Sequence, residues 1–336
     1  LNLGKYQKSN VIKKIISMSL YQRRVINWLE RNRNIFDLVI YTTPPITYHR
    51  IILRLKEKNP KLYSYLLLKD IFPQNAIDLG LLPQSYIFRP VINYFKRIEK
   101  KLYDSANMIG CMSAENIRYL SNQFKLRKKA ELNPNSIYIG SKKRLTEQQL
   151  IEKRRLLNLP TEKTIYIYGG NIGIPQDANY IKNFIHLFSS LDDSYLLIIG
   201  SGTQFQSIKD FIHNNAFKNI QIYSQMSRSN YQEYVKVSDV GLIFLNHKFT
   251  VPNYPSRILD YMQHSLSLLA ATDDSTDLRS LIIENNLGEW CLSIDPQILI
   301  EKVKRISADS KLRKIQGHNA RAILEKKFNV KNTYQI

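Results

Sequence analysis

From about residue 164 onward, short apolar runs and segments of helical period take turns, and this alternation limits the fold more than any other property of the sequence. The runs at 165–168, 195–199, 220–223 and 240–245 are dominated by Ile, Leu, Val and Tyr and stop at Gly, Ser or Asn. Each reads as a strand buried on both faces, because a parallel strand covered by helices shows a continuous apolar run rather than in–out alternation. Between them, 179–191, 206–214 and 228–237 read as helices. The series is βαβαβαβ, which excludes all-α and all-β folds and specifies an α/β domain with a parallel sheet. The earlier half repeats the theme less regularly, with strands at 37–41, 65–68 and 108–113, a helix over 46–58, and another from Ala114 that Ser113 caps.

A chain of 336 residues with 43% hydrophobic content is long enough for two cores. A basic polar stretch at Lys143-Arg144-Leu145 reads as the linker, so the expected domains are 1–145 and 146–318, with a C-terminal helix over 319–336 that packs back towards the first. The net charge of +21 is unevenly shared: residues 1–145 hold 27 Lys and Arg against 9 Asp and Glu, the remainder 22 against 19. A domain at +18 implies an anionic partner, either a membrane surface, a nucleic acid or a phosphorylated substrate. After Pro90, apolar Val91, Tyr94, Phe95, Ile98 and Leu102 recur at helical spacing while Lys96, Arg97, Lys100 and Lys101 occupy much of the rest. This is a basic amphipathic helix, either packed on a core with a solvated charged face or lying on a membrane. Neither Tyr65-Leu66-Leu67-Leu68 nor the run at 240–245 approaches the ~20 residues of a membrane span. Cys111 and Cys291 form neither a metal motif nor a disulfide framework, and a reducing cytoplasm is expected. The six histidines show no metal-ligand spacing.

Three stretches of the second half could carry chemistry. Gly169-Gly170-Asn171-Ile172-Gly173 and Gly200-Ser201-Gly202 follow strands, where glycines let the backbone approach a phosphate. No Gly-Lys-Ser/Thr follows the first and the second lacks the third glycine of a dinucleotide fingerprint, so each alone is also an ordinary tight turn. In Tyr254-Pro255-Ser256-Arg257-Ile258-Leu259-Asp260, Ser256 reads as the N-cap of a helix whose start offers free N–H groups to an anion, with Arg257 beside them. Asp260, one turn on, can accept hydrogen bonds from vicinal ribose hydroxyls. The plainer alternative is a capped surface helix with an Arg257–Asp260 pair at i,i+3. The acidic run at 273–277 reads as a cation site or a solvated loop. In the first half, Lys69 and Asp70 fall at a strand's carboxyl end, where open α/β sheets hold ligands.

Together, the glycine stretches, Ser238-Asp239-Val240-Gly241-Leu242 and Pro255-Ser256-Arg257-Ile258-Leu259-Asp260-Tyr261-Met262 resemble the donor domain of family 4 glycosyltransferases. Thr43-Pro44-Pro45-Ile46-Thr47, the segment 67–76 and Asn133-Pro134-Asn135-Ser136 resemble the branch that builds capsular, O-antigen and exopolysaccharide units. The resemblance implies a GT-B fold, two Rossmann-like domains facing across a cleft, with the first lacking its N-terminal βα portion. It also implies a retaining, metal-independent hexosyl- or N-acetylhexosaminyl-transferase without cofactor. The substrates would be a UDP-sugar donor and a polyprenyl-diphosphate-linked acceptor, at the inner face of the plasma membrane. Donor-binding residues would be Gly169, Gly170, Asn171, Gly173, Gly200, Gly202, Ser224, Met226, Tyr254, Pro255, Ser256, Arg257 and Asp260, with Lys69, Asp70 and Arg257 catalytic. The first Glu of the family's motif falls on Pro252, and the basic residue after its glycine loop falls on Ile174, which leaves the phosphate to Arg257. A nucleotide-sugar epimerase and a basic nucleic-acid-binding protein are the alternatives.

Overall fold

A computed structural model describes residues 20–21, 23–29, 31, 36–140 and 145–333. The chain start and Lys143-Arg144 of the expected linker lie outside the described residues. The chain divides into two compact units, Leu1–Asn133 and Pro134–Ile336.

In the first unit, β1 (Leu38–Thr42), α1 (His49–Lys58), β2 (Tyr63–Leu68), α2 (Gln74–Asp78), α3 (Arg89–Ser105), β3 (Met108–Cys111), α4 (Ala114–Phe124) and β4 (Ala130–Leu132) follow one another. The strands pair parallel in chain order, β1-β2-β3-β4. The helix expected over 46–58 is a 3-10 turn, Ile46–Tyr48, that passes into α1. Ser113 caps α4 as its sequence position suggests, its Oγ accepting from the Asn116 N–H at 3.4 Å.

The second unit runs α5 (Glu147–Leu156), β5 (Thr164–Asn171), α6 (Ala178–Phe188), β6 (Ser194–Ser201), α7 (Phe205–Asn215), β7 (Ile220–Ser224), α8 (Arg228–Lys236), β8 (Val240–Phe244), α9 (Arg257–Gln263), β9 (Ser267–Thr272), α10 (Leu278–Glu284), β10 (Gly288–Leu292), α11 (Pro296–Ala308) and α12 (Ser310–Lys327). All six strands are parallel, in the order β10-β9-β8-β5-β6-β7. The chain winds outward from β5 to β7, crosses back, and winds the other way from β8. This doubly wound sheet has its switch point between β5 and β8. Its core joins Tyr166, Phe184, Phe188, Leu196, Leu242 and Val303, all buried. The Tyr166 hydroxyl donates to the Val303 carbonyl at 2.9 Å, which ties the sheet to α11.

Two expectations change here. The strand read at 165–168 continues to Asn171, with Gly169, Gly170 and Asn171 in register with Ile199, Gly200 and Ser201. Bare backbones make this possible: a Cβ on Gly200 would lie 2.0 Å from the Gly170 carbonyl oxygen, and one on Gly202 2.3 Å from that of Ile172. The boundary read between residues 318 and 319, the expected start of a separate C-terminal helix, lies in the middle of α12, which packs on α9 and β9. Cys111 and Cys291 are free and buried. Among the described residues no helix is long and apolar enough to cross a membrane.

Candidate functional site

Parallel strands β5 and β8 pair only through Tyr166 with Val240 and Ile167 with Gly241, whereas β5 and β6 pair along the whole of β5. Beyond Gly241 the carboxyl halves of β5 and β8 therefore part, at the place where an open α/β sheet takes its ligand. Helix α9 fills the base of that split. Tyr261 is wedged against Gly241, where a Cβ would lie 2.3 Å from the ring, and its hydroxyl accepts the Gly169 N–H at 3.0 Å.

Arg257 lies over this wedge. Its guanidinium carbon stands 4.4 Å from the centroid of the Tyr168 ring. The guanidinium also closes on Gly170, whose φ of +123° only glycine adopts without strain and whose Cβ position is 3.5 Å from Arg257 Cζ. Nη1 of Arg257 is buried and finds no hydrogen-bond partner among the described residues. Tyr168, Tyr231 and Tyr261 surround the cation, and burial holds all three phenols above their ordinary range, Tyr261 at about 12. They are neutral at physiological pH and cannot compensate the charge. A guanidinium seated on the Tyr168 face with one donor left unpaired has the chemistry to receive an anion.

Asp260, one turn along α9, is largely buried, and its Oδ1 accepts from Gln232 Nε2 at 2.9 Å and from Arg228 Nη2 at 3.2 Å. Burial raises its pKa and Arg228 opposes that. Gln232 Oε1 meets His264 Nε2. Burial drives the His264 pKa down to about 4, so the ring is neutral and serves as an N–H donor that fixes the Gln232 amide towards Asp260. The i,i+3 pair between Arg257 and Asp260 does not form; Arg257 faces Tyr168, and Asp260 faces α8.

The other sequence candidates fall into separate groups. Ser256 does not cap α9 with its side chain: at φ −62° and ψ −20° it is already helical, and a capping hydroxyl needs an extended backbone to reach the next turn. Tyr254 is buried, with its ring 6.1 Å from that of Phe328, and Pro255 follows it at the entry to α9. Asn171 and Gly173 share one partner, the side-chain oxygen of Gln176, at 3.1 and 2.9 Å. Gly200 serves the close packing of β6 on β5, and Gly202, just past β6, the close approach to the Ile172 carbonyl just past β5. Ser224 ends β7, in register with Gly200, and Met226 lies in the loop beyond it, two strands from the split. Lys69 and Asp70 follow the carboxyl end of β2 in the first unit, where both backbone N–H groups donate to Thr43 Oγ1, at 3.0 and 3.2 Å; burial lowers the Lys69 pKa. The acidic run at 273–277 is not simply a solvated loop. Asp273 is fully buried, its Oδ1 accepts the Ser275 N–H at 2.9 Å, and burial pushes its pKa up to about 6.

Sequence reasoning missed Tyr168, Tyr231, Tyr261, Arg228 and Gln232. They come from β5, α8 and α9, and no local pattern announces side chains that meet only through the sheet topology.

No protein-family model matches the chain, and comparison with curated proteins finds no match. Solved structures do match. A sucrose-phosphate synthase from Thermosynechococcus elongatus has a TM-score of 0.73 at 14% identity, over 100% of this chain and 80% of that one. HepE of Anabaena, solved with UDP, has a TM-score of 0.71 at 12% identity, over 93% and 80%. WaaG, a glycosyltransferase involved in lipopolysaccharide biosynthesis, has a TM-score of 0.65 at 12% identity, over 86% and 81%. The chain has the two-domain parallel α/β fold of the GT-B glycosyltransferases.

Proposed function

We propose that the chain is a glycosyltransferase that takes a hexosyl or N-acetylhexosaminyl group from a UDP-sugar and adds it to a lipid-linked glycan, in the building of a capsular, O-antigen or exopolysaccharide unit. The observation that carries this reading is Arg257: a guanidinium at the switch point of the second sheet, seated on Tyr168, with Nη1 buried and unpartnered. The GT-B fold supports it, and so does the fact that HepE, of the same fold, was solved with UDP and with UDP-glucose.

In this reading Arg257 meets the donor diphosphate and Asp260, braced by Gln232, accepts from the ribose hydroxyls. The bond from the anomeric carbon to the diphosphate oxygen breaks as the bond to the acceptor hydroxyl oxygen forms on the same face, and the acceptor's proton passes to the departing diphosphate. The configuration is retained. No protein nucleophile and no metal enter the proposal. Positioning and stabilisation of the departing diphosphate supply the rate, and Lys69 and Asp70 are assigned to the acceptor side. The basic first unit, with 24 Lys and Arg against 9 Asp and Glu over residues 1–133, would hold a polyprenyl-diphosphate acceptor against an anionic inner leaflet.

A thermal-shift panel of UDP-, GDP- and ADP-sugars, followed by transfer from the best binder to a polyprenyl-diphosphate glycan, tests the reading. A UDP-sugar should raise the melting temperature and give a product of retained configuration. Turnover without acceptor would replace the proposal with an epimerase; no stabilisation by any nucleotide-sugar, with retardation of DNA or RNA at physiological salt, would replace it with nucleic-acid binding.

A further inference from the structure

The basic helix read from the sequence is only part of what the first unit presents. Just before α3 the chain makes the 3-10 turn Tyr86–Phe88, which buries none of its residues. Tyr86 is 82% exposed and Ile87 81%. Phe88, Leu81, Val91 and Tyr94 are exposed as well. Helix α3 is not loosely held, for Ile92, Ile98, Leu102 and Tyr103 on its other side are buried, and the Phe95 ring meets that of Phe72 at 5.2 Å. A firmly seated helix thus carries an uncovered apolar ridge at its start. Scattered exposed apolar residues are ordinary on a protein surface, but six within fourteen consecutive positions form a patch, and a patch marks a partner.

Charge selects the partner. Arg89, Lys96, Arg97, Lys100 and Lys101 follow the ridge, all exposed. The only acid from Gly80 through Leu102 is Glu99, which is buried and accepts the Tyr103 hydroxyl at 2.9 Å. Lys100 is paired with Asp104 at 2.6 Å, which leaves four basic residues of this surface free of an ion pair among the described residues. Arg89 lies 5.6 Å from the centroid of the Tyr86 ring. Apolar and tyrosine side chains at the tip, with cations behind them, match the section of a bilayer, where acyl chains lie beneath anionic headgroups.

We propose that the turn Tyr86–Phe88, with Leu81, Val91 and Tyr94, inserts into the headgroup region of an anionic bilayer, while Arg89, Lys96, Arg97 and Lys101 contact its phosphates. Membrane attachment then has two parts of different physical character. The cationic part is screened by salt. The apolar part is not, because burial of hydrocarbon does not depend on counter-ions. The inference deepens the membrane reading of the preceding subsection and owes nothing to the donor site.

The test is co-sedimentation of the full chain with phosphatidylcholine vesicles, with and without phosphatidylglycerol, at low and high salt. The parent should bind the anionic vesicles and keep a residual binding at high salt. Tyr86→Ser with Ile87→Ser should remove the residual and weaken partitioning at least about tenfold, since two largely exposed apolar side chains no longer insert. Replacing Lys96, Arg97 and Lys101 by Gln should lower low-salt binding and leave the residual intact. Ile87→Trp should gain fluorescence quenching by brominated lipid over the parent. Binding that vanishes entirely at high salt and ignores the Tyr86 and Ile87 replacements would overturn the insertion and keep a purely electrostatic membrane contact. No vesicle binding in any lipid would remove both. If the serine variant instead turned a dimer into a monomer by sedimentation velocity with vesicle binding unchanged, the ridge would be an interface between copies.

Discussion

Arg257→Met separates a reader of phosphate from a strut of the fold, because the structure gives the two roles opposite signs. In the parent, the guanidinium gains from its face-on contact with Tyr168, 4.4 Å to the ring centroid, worth ~0.5–2 kcal/mol. Against this, Nη1 is buried without a partner, a loss of ~1–3 kcal/mol. Methionine keeps much of the length, packs on the ring and brings no donor to satisfy, so the two effects nearly cancel. For a unit of this size ~1 kcal/mol moves the melting temperature by about 2–4 °C, so the variant should melt within a few degrees of the parent or slightly above it. Binding should behave otherwise. A charge-assisted hydrogen bond to a diphosphate contributes ~1.5–3 kcal/mol, so UDP and UDP-sugar should bind roughly ten- to a hundredfold more weakly, while uridine should not change. Turnover should fall further, since charge on the departing diphosphate grows in the transition state. Calorimetry with uridine, UDP and a UDP-sugar, beside thermal melts without ligand, reads all of this. A variant that melts about 10 °C lower, a loss of several kcal/mol, yet binds UDP like the parent would show that Arg257 serves the fold alone.

Asp260→Asn should weaken uridine and UDP alike by roughly tenfold, and Gln232→Leu by a smaller factor in the same pattern; calorimetry that finds uridine binding intact in Asp260→Asn would remove the ribose assignment. The buried Asp273 titrates near pH 6 when folded and near 4 when unfolded. The native state holds the proton longer, so this group's contribution is full below about pH 4 and lost as the pH rises through 6. Asp273→Asn should therefore gain on the parent by roughly 2–3 kcal/mol between pH 4 and 7 in urea unfolding; a constant difference across that range would refute it. Gly200→Ala places a Cβ 2.0 Å from the Gly170 carbonyl and should lower the melting temperature by several degrees, at about 1–3 kcal/mol of overpacking strain; an unchanged melt would mean that the ends of β5 and β6 separate freely.

What the sequence made legible is what local physics decides. Strands β5, β6 and β8 are covered on both faces, so their apolar runs mark them directly, and Ser113 announces α4 because a cap acts on residues three positions away. Glycines misled for a reason equally local. Gly169 and Gly170 look like a loop, but the pairing of β5 with β6 extends through them because Gly200 has no side chain to block it. Ser256 looked like a cap, and its helical backbone removes the geometry a cap needs. The partners of Asp260 lie 28 and 32 positions away on another helix, and the tyrosines around Arg257 come from three elements. The basic character of α3 was plain from its heptad-scale pattern, whereas the outward projection of Tyr86 and Ile87 depends on a turn whose direction the core sets.

Arg321 has a bearing on how the chain is made. From the last long helix its guanidinium donates to the Gln263 carbonyl at the end of α9 and to the Gly140 carbonyl, each at 2.8 Å. Beside it, the Ile137 N–H donates to Phe328 and its carbonyl accepts from Val330, at 3.0 and 3.1 Å. Arg321 and Gly140 are 181 positions apart. At the usual pace of synthesis, the segment that opens the second unit leaves the ribosome roughly ten to forty seconds before the helix that receives it. During that interval the first unit can fold, since it has its own core, whereas the second cannot be closed. The late closure also places the final stitch of the second unit beside α9, so a chain cut short near its end would lose support under Arg257 and Asp260 while keeping every strand of its sheet.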